Sequence, residues 1–338
     1  MQHHEAAPLF ITGGWRSGTT LISRIMNNHP DFAVTYDTIH FMRFANNRYD
    51  PINDPANAGR LIADTNRRIQ ERYNLSFDQA KVTDALKGDY TYASIYDAIM
   101  KDFLLKSSGK KFWGEKTNLV WSKIPYFLAL FPQGRVIHII RDPRAVLASW
   151  RKFTHAPGND YLDSIINCYD SMHMALHYAR QFSQQRYLFV RYEDLVSDPR
   201  ATAANICTKF DVPYDEAMLD DSKFESILGD QWKSNTIYDE QLKGISKVMI
   251  NRWESELKDW EILLTELIMD DMLEKFQYAQ SGINKDEKLM AQAIHEVRKS
   301  DLATEGMIRF LLTKKGFERY PVDPMARENW GKTEKYEQ

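Results

Sequence analysis

A chain of 338 residues, 43% hydrophobic and 27% charged, can bury a large core as one big domain or two modest ones, and extended disorder is not expected. Its formal net charge of −3 gives no argument for nucleic acid as a main partner, and no apolar run approaches the roughly 18 residues needed to span a membrane. Met1-Gln2-His3-His4 lacks the apolar core of a signal peptide, and Cys168 and Cys207 sit in apolar helical patterns that suit buried thiols, so a cytoplasmic protein is expected.

Residues 9–13 read as a buried strand, followed by a glycine-punctuated turn and a helix over 19–28 that ends at Asn27-Asn28-His29-Pro30. A second strand is expected at 32–36. From Ile39 to about Ser107 the pattern is mostly helical, interrupted near Asp50-Pro51 and Gly88. Phe112-Trp113-Gly114 is a short strand or its end, and Val120–Leu130 a helix. Arg135–Ile140 is the strongest strand in the chain, and Asp142-Pro143 then starts the helix Arg144–Phe153. A long helix over 161–183, a strand at Tyr187–Arg191 and a helix over Asp198–Phe210 follow. Further helices are expected at 247–258, 261–276, 285–299 and 303–314. Strands separated by helices in this rhythm predict an α/β fold with a parallel sheet, whose ligands bind at the carboxyl ends of the strands.

Two segments at such strand ends carry anion-binding chemistry. In Gly13-Gly14-Trp15-Arg16-Ser17-Gly18-Thr19-Thr20 a strand hands over to a helix through glycines, which leaves backbone N–H groups and a helix N-terminus facing one point. Arg16 adds a full charge, and Ser17, Thr19 and Thr20 add hydroxyls. No lysine follows the second glycine, so the G-x-x-x-x-G-K-[ST] pattern of ATP- and GTP-hydrolysing proteins is absent. The bland alternative is an ordinary capped strand-to-helix turn. Arg141-Asp142-Pro143-Arg144 through Ser149 repeats the logic, with Ser149 about two helical turns from Arg141. Two anion sites suggest a nucleotide carrying phosphate groups at two places.

At these residues the sequence resembles the PAPS-dependent sulfotransferases, whose donor is 3′-phosphoadenosine-5′-phosphosulfate. Gly14–Leu21 followed by His29-Pro30 looks like the 5′-phosphosulfate loop of that family, and Arg141–Ser149 looks like its 3′-phosphate motif. Arg191-Tyr192-Glu193-Asp194-Leu195-Val196-Ser197-Asp198-Pro199 resembles the segment after the next strand, and Arg252-Trp253-Glu254-Ser255-Glu256-Leu257 resembles the ending of many bacterial members. Pro30-Asp31-Phe32 leading to Tyr36-Asp37-Thr38, with Trp113-Gly114-Glu115-Lys116-Thr117, looks like the bacterial and tyrosylprotein-sulfotransferase-like branch. One departure is visible. That branch carries a second arginine past the serine of the 3′ motif, where Phe153 stands here, with Arg151 and Lys152 beside it as substitutes.

The resemblance implies a P-loop-like three-layer fold, a central parallel sheet flanked by helices. Residues 1–280 form the sulfotransferase domain, with a helical insert over about 41–109, and 281–338 a helical C-terminal extension of the same domain. It implies PAPS as co-substrate and PAP as product, with no metal, in line with histidines that show no ligand spacing. Gly14, Trp15, Arg16, Ser17, Gly18, Thr19 and Thr20 are expected to hold the 5′ end of the donor, and Arg141 and Ser149 its 3′-phosphate. Tyr192 is expected against the nucleotide, or as a core aromatic. Ser234, Lys243 and Gly244 fall in the segment that in relatives closes over the donor. Lys116 suits the sulfonyl oxygens, against the plainer reading of a surface lysine, and Arg16 supports catalysis as well as binding. The base is Asp37, which would otherwise be a helix N-cap, with His40 as rival. Arg144 either faces solvent or pairs with an acid, and Glu193 and Asp194 stabilise the fold. The expected acceptor is a small-molecule or natural-product hydroxyl, with protein tyrosine or carbohydrate as alternatives. A nucleotide kinase or NTPase with a variant phosphate loop is the rival from another class. No nucleic acid or membrane partner is expected. The insert and the C-terminal helices shape either the acceptor pocket or a homodimer contact, and the residues do not separate the two.

Overall fold

The computed structural model describes residues 7–153, 157–225 and 245–316. Every residue of the first strand, β1 (Leu9–Gly13), is buried, as suits a strand covered on both faces. It pairs in parallel with β3 (Phe112–Lys116) on one side and β4 (Arg135–Ile140) on the other. With β2 (Phe32–Tyr36) and β5 (Tyr187–Arg191) these make a five-stranded parallel sheet in the order β2-β3-β1-β4-β5. Alternation within the strands sorts the core. Phe10, Trp113 and Val136 face one cluster, while Leu9, Ile11, Ile137 and Ile139 face another on the opposite side of the sheet.

The helices follow in chain order. After α1 (Thr19–Asn28) and β2 comes the insert: α2 (Phe41–Phe44), α3 (Pro55–Tyr73), α4 (Gln79–Leu86), α5 (Tyr92–Met100) and the short α6 (Lys106–Ser108) beyond a π turn. Local chemistry explains the starts. Asp54 caps α3 with Pro55 in its first turn, Asp78 caps α4, and Thr91 with Ser94 forms a reciprocal capping box on α5. The insert packs Phe41, Tyr96 and Ile99 against Phe10, Trp113 and Phe131 on one face of the sheet. Then come α7 (Ile124–Leu130), α8 (Pro143–Phe153), α9 (Asp163–Gln181), α10 (Tyr192–Ser197) and α11 (Pro199–Lys209). The last set is α12 (Trp253–Glu256), α13 (Asp259–Met269), α14 (Met272–Lys275), α15 (Glu287–Val297) and α16 (Asp301–Thr313). A third cluster joins α8 and α9 to these through Trp150, Ile165, Trp253, Trp260 and Phe310.

The three-layer arrangement, with its helical insert and C-terminal helices, is the architecture expected from the sequence. The differences are local. The helix expected over 247–258 is only a 3-10 turn at Lys247–Met249 and the single turn α12, separated by bends and a turn over 250–252. The helix expected over 261–276 breaks at Asp270, whose φ of 48° leaves the right-handed region and divides α13 from α14. The short helix α10 (Tyr192–Ser197), directly after β5, is not among the expected elements. Strand β3 runs on to Lys116, which places that residue level with Ile11 and Tyr36 at the carboxyl end of the sheet. Both cysteines are buried free thiols. No helix among the described residues is long and apolar enough to cross a membrane.

Candidate functional site

The loop after β1 is shaped by its glycines. A Cβ on Gly13 would stand 2.6 Å from the Ile139 carbonyl oxygen of the neighbouring strand, so only glycine lets β1 leave the sheet this close to β4. Gly18 has φ 97° and precedes α1, and a Cβ there would lie 2.5 Å from the Tyr192 ring. No side chain caps α1, so its first-turn N–H groups and positive dipole end are presented to the concave side of the loop. Ser17 is turned inward, donating its hydroxyl proton to the Gly14 carbonyl at 2.6 Å, and braces the loop from within. Thr19 is buried at the helix start, with Thr20 beside it half-buried. A Gly18→Ala chain should lose about 2–4 kcal/mol of stability from the left-handed backbone and the clash with Tyr192, read as a fall in thermal midpoint.

The second anion site adjoins the first. Arg141, at the end of β4, donates from Nη1 to the Arg16 carbonyl and from Nη2 to the Met249 carbonyl, both at 2.8 Å. Its guanidinium carbon lies 4.3 Å from the centre of the Tyr192 ring, and its Nε is buried with no hydrogen-bond partner. An uncapped helix start beside an orphaned guanidinium N–H fits a ligand with anionic groups. Tyr192 is buried, and braces Gly18 on one side and Arg141 on the other.

The sequence reading placed Arg16 at the 5′ end of the donor and Ser149 at the 3′ end. The structure brings the two together: Arg16 Nε donates to Ser149 Oγ at 2.8 Å, and the Arg16 head lies 4.5 Å over the Phe153 ring. Trp15 stacks on Trp150 at 4.5 Å. Trp15 and Arg16 thus lie along α8, while Gly18, Thr19 and Thr20 remain at the start of α1. Phe153, the residue at which the sequence departs from the resemblance, serves as a platform for Arg16. Both basic neighbours pair with acids. Arg151 forks onto Glu261 at 2.8 and 2.6 Å, and Lys152 pairs with Glu256 at 2.8 Å. Arg144 is buried, pairing with Asp142 at 2.8 Å and Glu266 at 3.0 Å under the Trp253 ring. Glu193 accepts from the Asp142 amide at 3.0 Å and the Tyr278 hydroxyl at 2.8 Å, a fold-stabilising job, and its burial raises its pKa. Ser234, Lys243 and Gly244 lie outside the described residues.

On the other side of β1, the ends of β2 and β3 carry the candidate base. Lys116 is no surface lysine: its side chain is 1% exposed, and its Nζ donates to Asp37 Oδ2 in an ion pair. The Asp37 side chain is 31% exposed and so is the accessible half of the pair. Asp37 does not cap the following helix; that position belongs to His40, which makes no side-chain cap bond. His40 is 3% exposed, with Nε2 4.0 Å from Asp37 Oδ1 and neither ring nitrogen hydrogen-bonded. Its burial, followed by the nearby charges of Arg43, Arg68 and Arg72, lowers its pKa well below 6.5, so the ring is neutral. Asp37 and His40 both have positive φ, 52° and 50°. Each costs about 1–2 kcal/mol in a residue with a Cβ, and such backbone persists where its surroundings over-determine it.

Four residues that the sequence reading did not select surround this turn. Glu115, fully buried, accepts from the His40 and Phe41 amides and from the Tyr96 hydroxyl, and burial pushes its pKa up to about 7. Arg68 donates to the Thr38 and Ile39 carbonyls, and Tyr73 to the Asp37 carbonyl. Strand alternation was the available signal for Glu115. A residue next to Lys116 points to the opposite face, here into the core, where a carboxylate needs donors.

A parallel sheet with a glycine loop and an arginine at adjacent strand ends defines an α/β protein whose strand ends suit an anionic ligand. The model of the family described as the sulfotransferase family matches residues 8–216, from the start of β1 to beyond α11, and the chain belongs to that family. It is 26% identical over 276 residues to protein-tyrosine sulfotransferase 1 of Danio rerio, covering 75% of this chain and 68% of that one. It is 23% identical over 326 residues to protein-tyrosine sulfotransferase 2 of Gallus gallus, covering 90% and 79%. Among solved structures, the sulfotransferase domain of the Synechococcus PCC 7002 olefin synthase matches 82% of this chain and 99% of that one. Its TM-score is 0.55 at 24% identity, a likeness of fold.

Proposed function

We propose that this protein transfers the sulfonyl group of PAPS to a hydroxyl of a small-molecule acceptor, releasing PAP. The observation that carries the reading is the layout across the strand ends. The uncapped loop at β1 lies between Arg141 at β4 and the Asp37–Lys116 pair at the ends of β2 and β3. A donor anchored at Arg141 and the α1 N-terminus would carry its sulfonyl end toward Lys116 and Asp37. Asp37 takes the proton of the acceptor hydroxyl as that oxygen bonds to sulfur. The bond from sulfur to the 5′-phosphate oxygen breaks, and its electron pair leaves on the phosphate, where the loop N–H groups meet the charge. Lys116 exchanges its carboxylate partner for the sulfonyl oxygens. Asp37 is preferred to His40 because its carboxylate reaches solvent, while His40 is walled in. No nucleic acid or membrane partner enters this reading.

A peptide tyrosine is the second acceptor reading, favoured by the identity with protein-tyrosine sulfotransferases over most of this chain. The test is a thermal-shift titration with PAP against ATP and magnesium, followed by labelled PAPS offered to small alcohols, phenols, sugars and tyrosine peptides. PAP should raise the melting temperature and ATP should not. Stabilisation by ATP with magnesium but not by PAP would overturn the donor. Label on tyrosine peptides but not on small hydroxyl compounds would replace the primary acceptor by the second.

A further inference from the structure

The turn that carries Asp37 has its backbone held by side chains from other elements. Its carbonyls at Thr38 and Ile39 accept from Arg68 Nη2, the former at 2.8 Å, and its Asp37 carbonyl accepts from the Tyr73 hydroxyl. Its amides at His40 and Phe41 donate to the two oxygens of Glu115, the latter at 3.4 Å. The Asp37 amide donates to the Lys116 carbonyl at 3.1 Å and continues the β2–β3 ladder. Arg68 and Tyr73 come from α3 of the insert, and Glu115 comes from the strand residue before Lys116. Two non-glycine residues of this turn stand in the left-handed region, a backbone that does not hold itself.

We propose that Glu115, Arg68 and Tyr73 are positioning residues for the transfer reaction: a clamp gripping both polar sides of residues 37–41, which sets the direction of the Asp37 carboxylate toward the acceptor. The proposal rests on Asp37 being the base. It gives the insert a catalytic purpose separate from shaping a pocket, because Arg68 and Tyr73 of the insert and Glu115 of β3 all hydrogen-bond the backbone of the turn. Glu115 also fixes the spacing of the charged pair, since it shares a strand with Lys116 and bonds the turn that follows Asp37. The ring of Tyr96, stacked on Phe41 at 4.1 Å, sets the hydroxyl that Glu115 needs as a third donor.

The experiment measures kcat at saturating PAPS and acceptor, with PAP affinity by calorimetry, in Glu115→Ala, Glu115→Gln, Arg68→Lys and Tyr73→Phe. Tyr73→Phe deletes one hydroxyl at the end of α3 and is the variant that keeps the test alive if Glu115→Ala does not fold. Misplacing a reacting group costs on the order of 100-fold, so kcat should fall about 100-fold in Glu115→Ala and about 10-fold in Tyr73→Phe, with PAP affinity unchanged. Arg68→Lys keeps the charge, but its shorter side chain does not bring a donor to the Nη2 position that serves both carbonyls, so it should fall with them. Glu115→Gln still accepts from the His40 amide and can donate to the Tyr96 hydroxyl, giving up only the long 3.4 Å bond from the Phe41 amide, so it should restore most of the rate. Wild-type kcat in folded Glu115→Ala and Tyr73→Phe overturns the clamp, as does a Gln variant no faster than the Ala variant. Asp37→Asn measured in parallel separates the two ideas. A slow Asp37→Asn beside fully active clamp variants removes the clamp alone, and a fully active Asp37→Asn removes the base reading beneath it.

Discussion

Arg141→Ala is expected to weaken PAP binding by at least about 100-fold, since each hydrogen bond from a buried guanidinium to a charged group is worth about 1.5–3 kcal/mol. The residue has two jobs, and they leave different signatures. In the structure its Nη atoms hold the carbonyls of Arg16 and Met249, while its buried Nε has no partner. Removing it therefore leaves two carbonyls short of a donor and should lower the melting temperature of the ligand-free chain. A purely structural arginine would do no more than that. If Arg141 also meets a phosphate, the extra stabilisation that PAP gives the wild type should vanish as well. Arg141→Lys sharpens the comparison, because an ammonium supplies charge without the fork that spans loop and ligand. An Arg141→Ala chain that PAP stabilised as strongly as the wild type would end the two-anion reading. Ser149 accepts from Arg16 Nε at 2.8 Å, which leaves its hydroxyl proton to be donated.

The parts of this molecule that were readable in the sequence are those where one residue type has few physical uses. Gly13, Gly14 and Gly18 between an apolar strand and a helix meant a tight turn, and the structure shows a strand carbonyl and an aromatic ring where Cβ atoms would stand at Gly13 and Gly18. Asp142-Pro143 meant a helix start, and the Asp142 carboxylate does accept from the Arg144 amide at 2.9 Å. The strand rhythm gave the sheet. What was hidden lay in pairings across long stretches of chain. Nothing local to Arg16 says that it will reach Ser149, 133 positions away, nor to Arg151 that it will be occupied by Glu261. The Arg68–Thr38 and Glu115–His40 bonds join three elements and depend on how the insert folds back over the sheet. Short elements were equally obscure. Residues 247–258 have a helical pattern of apolar residues, yet Ser246 caps only a 3-10 turn and the backbone straightens again at Leu257.

Asp37→Asn should lower kcat by about 100- to 10,000-fold, the range of a well-placed general base, while PAP affinity stays near that of the wild type. The substitution is unusually clean for this position. Asparagine tolerates the left-handed backbone that Asp37 adopts, and its side-chain oxygen can still accept from Lys116 Nζ, so the turn and the lysine should stay in place. What is lost is the ability to take a proton. The size of the loss then reports on the acceptor. A phenol, with a pKa near 10, ionises far more readily than an aliphatic alcohol and depends less on a base. A tyrosine-type acceptor should therefore show the smaller drop and a residual rate that climbs with pH, whereas an aliphatic hydroxyl should show the full drop. Wild-type turnover in Asp37→Asn would transfer the role to His40. Its unpartnered Nε2 faces Asp37 from 4.0 Å, and burial with three nearby arginines keeps its ring neutral, the form a base requires. His40→Gln would then carry the loss that Asp37→Asn did not, and the two variants measured side by side assign the proton to one residue or the other.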